Sequence, residues 1–92
     1  MVTVLLFGAR LQQEIGEMEF QFEVEGPTTV RALIEAHEEN LGPLLSMLDK
    51  SEVMVTVNRK VAVQGSPVKD GDTVRLTYQV HHSYEGARWQ NP

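Results

Sequence analysis

Apolar and polar residues alternate along Met18–Val24. Met18, Phe20, Phe22 and Val24 share one phase, and Glu19, Gln21 and Glu23 share the other. Side chains of a strand point to opposite faces in turn, so this pattern predicts a strand with one buried and one wet face. Val74, Leu76, Tyr78 and Val80 alternate with Arg75, Thr77 and Gln79 in the same way and predict a last strand. Val2–Phe7 is instead an unbroken apolar run bounded by Gly8. It is too short for a helix and predicts a strand buried on both faces, central in a sheet. Val53–Val57 predicts a third strand and Val61–Val63 a brief fourth. A different period runs through Val30, Leu33, Ile34, His37 and Leu41, which form one helical stripe, with Glu35, Glu38 and Glu39 on its solvated side.

Breakers separate these elements. Leu11 and Ile15 lie four apart and allow one or two helical turns before Gly16. The short link over residues 8–17 favours an antiparallel hairpin of the first two strands. Gly26-Pro27 ends the second strand, and Thr28 or Thr29 supplies a helix N-cap. Leu41-Gly42-Pro43 predicts the end of the helix, with a further short turn over Leu44–Leu48. Asn58-Arg59-Lys60 and Asp70-Gly71-Asp72 have the chemistry of turns. The order is β-β-α-β-β-β, an α+β two-layer arrangement in which the helix covers one sheet face. Residues 1–80 make one domain, and residues 81–92 make a C-terminal tail leaving its last strand.

Composition narrows the function. The 92 residues hold 41% hydrophobic and 23% charged residues, which suits one small globular domain. The formal net charge of −5 argues against a nucleic-acid partner, because phosphate binding needs a basic face. Arg59, Lys60, Lys69 and Arg75 form a small basic cluster near the last strands, too few for that role. There is no apolar run of membrane-spanning length and no leader pattern at the start. There are no cysteines, which removes thiolate chemistry and agrees with a cytoplasmic setting. No phosphate loop, metalloprotease helix or nucleophile elbow occurs, so the expectation is a non-enzyme without a cofactor.

Four stretches, Val2–Gly8 (VTVLLFG), the capped helix beginning TVRALIE, Val55–Asn58 (VTVN) and PVKDGDTVRL, resemble the ThiS/MoaD family over residues 2–80. The resemblance implies a ubiquitin-like β-grasp fold: a mixed five-stranded sheet with one main helix on one face. It also implies a sulfur carrier serving molybdopterin, thiamine-like or other sulfur metabolism. In such proteins a C-terminal Gly-Gly is adenylated by a partner of the ubiquitin-activating type and becomes a thiocarboxylate. A sulfur-accepting enzyme then takes the sulfur. Glycine suits a tail threaded into another enzyme's channel, since it has no side chain to clash and tolerates any φ/ψ.

The tail departs from the family pattern. Tyr78-Gln79-Val80 stands where prolines are expected, His82-Ser83 stands near the glycine positions, and the chain runs on to Pro92. Some relatives lose extra residues to a protease, and cleavage after Gly86 would leave Tyr84-Glu85-Gly86 as the new end. Tyr84 and Trp89 are the aromatic residues of the tail and candidates for contacts there. His81 and His82 are adjacent on an extended chain and point apart, so no metal site is expected with His37. Leu5, Phe7 and Met54, beside Arg75 and Thr77, fall on the pleat phase away from the helix and form the candidate partner-binding face. The alternative reading is a β-grasp protein-binding module or subunit that has lost the thiocarboxylate chemistry.

Overall fold

The computed structural model describes residues 1–79. Its elements are β1 (Val2–Phe7), α1 (Ala9–Ile15), β2 (Glu19–Phe22), β3 (Thr28–Thr29), α2 (Val30–Ala36), α3 (Glu38–Asp49), β4 (Val53–Val57), β5 (Lys60–Ala62), β6 (Pro67–Val68) and β7 (Thr73–Tyr78). Five strands form one mixed sheet in the order β2-β1-β7-β4-β5. β1 and β7 pair in parallel at its centre, and the other neighbours are antiparallel. This is the β-grasp arrangement, with one sheet face covered by helices.

The core lies between that face and the helices. The sheet contributes Val2, Val4, Leu6, Val53, Val55, Val74 and Leu76, all buried. They meet Leu11 of α1, Val30, Leu33 and Ile34 of α2, and Leu41, Leu44, Met47 and Leu48 of α3. Non-directional burial of these side chains is the main force holding the layers together. Met18, Phe20, Phe22 and Val24 pack at the margin of this core in the predicted phase, while Glu19, Gln21 and Glu23 are exposed.

Three expectations need correction. β1 is central but not buried on both faces: Thr3 and Leu5 are half-buried and Phe7 is exposed, because no layer covers their side. The single helix stripe is split. At His37 the backbone leaves helical geometry (φ −122°, ψ 41°) where the imidazole stacks on Phe22, ring centres 3.7 Å apart. α3 then restarts, with the His37 carbonyl accepting from the N–H groups of Asn40 and Leu41. Gly42 and Pro43 do not end the helix but sit inside α3. Pro43 falls in the second turn, so its missing N–H deprives only the Glu39 carbonyl, and burial of Leu41, Leu44 and Met47 outweighs that loss.

The punctuation is otherwise as predicted. Thr29 caps α2, its hydroxyl accepting from Ala32 N–H at 3.1 Å. Asn58 (φ 52°) and Arg59 (φ 73°) both adopt left-handed geometry. They make a two-residue turn whose twist matches the flanking strands and sets Val57 opposite Lys60. Gly71 takes φ 91° in the turn that feeds β7.

Candidate functional site

Strand register assembles the helix-free face in two rows. In one row Leu5 lies opposite Arg75, and Arg75 opposite Thr56. The hairpin continues this row by setting Val61 opposite Thr56, and β2 extends it at the other side with Glu19 opposite Leu5. In the second row Phe7 lies opposite Thr77, and Thr77 opposite Met54. Thus Leu5, Phe7, Met54, Arg75 and Thr77 do come together on one surface. The Arg75 guanidinium carbon stands 5.0 Å from the centre of the Phe7 ring, a cation–π geometry.

The surface is more apolar than its sequence suggests. Phe7 and Met54 are each 42% exposed, Val61 is 80% and Val63 67%. Val63 lies just beyond β5, in a pocket shared with Leu48, Val53, Met54 and Val55. Among the described residues the other exposed large hydrophobic is Met1, so three of these side chains, Phe7, Met54 and Val61, share one face. Val61 was missed from sequence because a three-residue strand shows no alternation. The signal lay in the turn: a two-residue Asn58-Arg59 hairpin fixes which pleat phase Val61 takes.

The face also carries a depression of ≈ 380 Å³ lined by Leu5, Thr56, Asn58, Arg59, Thr73 and Arg75. Its floor is rigid. Asn58 donates its backbone N–H to the Thr73 carbonyl (2.8 Å), and its side-chain oxygen accepts from Thr73 N–H (2.9 Å). The Asn58 amide nitrogen donates to Asp72 (2.9 Å). That bond, with the Lys69 backbone N–H at 2.9 Å, holds the Asp72 carboxyl below the usual carboxylate range. The basic cluster expected from sequence is divided: Lys69 reaches Asp72 at 3.5 Å, while Arg59 and Arg75 share the depression.

At the end of β7 the chain leaves from the middle of the sheet. Gln79 N–H donates to the Glu52 carbonyl at 2.8 Å, anchoring the departure point beside the start of β4. This is the rim of the Phe7–Thr77–Met54 row. Gly86, Tyr84, Trp89, His81 and His82 lie outside the described residues. Among those described, no group of three histidine or acidic side chains is gathered as a metal site, and no helix is long and apolar enough to cross a membrane.

The ThiS family model matches residues 4–76. The chain belongs to the ThiS family. Solved structures agree with this ThiS-family assignment. The small archaeal modifier protein 1 of H. volcanii is 25% identical, with a TM-score of 0.69 over 86% of this chain and 97% of that one. A Pyrococcus furiosus protein described as molybdopterin converting factor, subunit 1, is 29% identical, with a TM-score of 0.66 over 86% and 97%. A chain of the Amycolatopsis orientalis BexX/CysO complex is 25% identical, with a TM-score of 0.67 over 88% and 98%. No curated protein matches the chain. The protein therefore stands among ubiquitin-like β-grasp proteins of ThiS/MoaD type, a family of sulfur carriers and modifiers, which are small carrier proteins rather than catalysts.

Proposed function

We propose that this ThiS-family protein is a sulfur carrier whose reactive end is made by proteolytic trimming after Gly86. What carries the reading is the placement of β7. It runs parallel to β1 at the sheet centre and ends beside Phe7 and Met54, so Gln79, the last described residue, stands at the rim of an exposed apolar face. A partner gripping the face would hold the end within its own site. Hydrolysis of the Gly86–Ala87 bond gives a free Gly86 carboxylate. An adenylating partner of the ubiquitin-activating type joins that carboxylate to the α-phosphorus of ATP, releasing pyrophosphate. A sulfide-equivalent donor then displaces AMP at the carbonyl and leaves a thiocarboxylate for a sulfur-accepting enzyme. The carrier brings the end and the face, and the partners bring the catalytic groups. Molybdopterin assembly and related cofactor or sulfur metabolism, in the cytoplasm, is the setting that fits.

Intact-mass measurement on protein from its native host tests this. The expected species is a chain ending at Gly86, in part with one oxygen replaced by sulfur. Finding only the full-length chain without added sulfur would overturn it. That result would select instead a binding module that uses the same face without carrying sulfur.

A further inference from the structure

We infer that the depression between Arg59 and Arg75 is a carboxylate site, and that the partner surface docking on this face presents an acidic, extended segment with apolar neighbours. The chain carries a formal charge of −5, yet the charged residues lining this depression are two arginines, Arg59 and Arg75. Arg10 is engaged with Glu14, and Arg31 with Glu35 and Asp49, all on the helical side. Arg59 and Arg75 have no ion pair among the described residues, and both line the same depression. The carboxylates nearest in register do not neutralise them. Glu19 lies two strands from Arg75, about 10 Å at ordinary strand spacing. Asp72 is buried, with its oxygens taken by Asn58 and Lys69.

The setting fits a carboxylate better than a small free anion. One wall is Leu5, and Arg75 lies over Phe7, so an incoming acidic side chain meets guanidinium groups at the edge of an apolar strip. Arginine presents a planar fork that matches a carboxylate. Met54 and Val61 continue the strip towards the β5 edge and offer contact to apolar side chains two residues from an acidic one, which share its side of an extended segment. Opposite charge across such a surface sets partner choice and speeds encounter. This deepens the docking role proposed above, and its test is separate: scattered peptide shifts leave sulfur carriage standing, and an absent thiocarboxylate leaves the carboxylate site standing.

The test is NMR titration of the isotope-labelled full chain with the blocked hexapeptide Leu-Ser-Glu-Ser-Leu-Ser, whose leucines and glutamate share one side when extended. The amides of Leu5, Thr56, Arg59 and Arg75 should shift together, and added salt should weaken the effect. Arg59→Glu and Arg75→Glu should each weaken binding about tenfold, and Arg10→Glu should not. Arg75→Gln, which keeps the side-chain stem, separates loss of charge from loss of fold and should also weaken binding. Three results would overturn the inference: shifts spread over α1 and α3, an equal response to inorganic phosphate or to the same peptide with lysine in place of glutamate, or self-association abolished by the same variants. The last would make the occupant a second copy of this chain.

Discussion

A β-carbon placed on Gly8 would stand 2.9 Å from the β-carbon of Tyr78. Gly8 also holds φ 117° and ψ 140°, a geometry that side chains resist. The close approach lets β1 turn into α1 directly against the last residue of β7. Gly8→Ala should therefore destabilise the fold by about 1–3 kcal/mol, read as a lower urea midpoint. An unchanged midpoint would show that this contact is soft.

Gly42 is the opposite case. It lies inside α3 at an ordinary negative φ; beyond its chain neighbours an added β-carbon would meet the flexible Glu38 Cγ at 3.4 Å, and it would also face the ring of Pro43. Gly42→Ala should change stability by less than about 0.5 kcal/mol, because the helix preference of alanine is offset by the crowding of its β-carbon against the Pro43 ring. A gain of about a full kcal/mol would mean that the proline ring yields without cost.

Asp72 predicts an acid dependence with a definite sign. Its folded carboxyl is held below the unfolded value of about 3.9. As pH falls, the unfolded chain binds the proton first. The stabilisation is thus complete above about pH 5 and is lost as pH drops through the folded value. Asp70, paired with the Met1 amino group, shifts in the same direction. Asp72→Asn should flatten the fall in denaturation midpoint between about pH 5 and pH 2, and Asp70→Asn provides the comparison. Equal slopes in wild type and Asp72→Asn would refute this origin. Asp72→Ala, which also leaves the Lys69 N–H without its acceptor, should cost about 1–3 kcal/mol.

Phe7 and Met54 are each 42% exposed, so Phe7→Ser with Met54→Ser should cost about 1–3 kcal/mol of stability. On the proposed carrier role, the same pair should abolish capture of an adenylating enzyme in a pull-down with purified proteins at a temperature where the variant stays folded. Undiminished capture would remove the face from that role.

Local pattern made the strands legible where alternation was long. Glu19–Phe22 and Thr73–Tyr78 follow their period, and Asn58 and Gly71 adopt the left-handed geometry that their residue types favour. Other features left no such trace. The β3–β6 pair is two residues long and exists through tertiary hydrogen bonds. The break at His37 leaves the apolar spacing intact, because Leu41, Leu44 and Leu48 continue the stripe. The parallel pairing of β1 with β7 has no residue pattern of its own, and the family resemblance implied only a mixed sheet. Of the helix-free face, Leu5, Phe7 and Met54 were readable from pleat phase. Val61 was not, because its orientation depends on hairpin register. The depression needed Arg59 of the β4–β5 turn and Arg75 of β7 brought together.

The parallel centre of the sheet has a consequence for biosynthesis. Thr3 pairs with Thr73, so the middle of the sheet closes only after nearly the whole described body exists. Until then β1–β2 and β4–β5 are two separate hairpins, each with an open edge where β7 will insert. Contacts this distant along the chain make folding slow. A ribosome stalled before residue 73 would release a sticky fragment, so chaperone demand and aggregation should concentrate in that interval of translation.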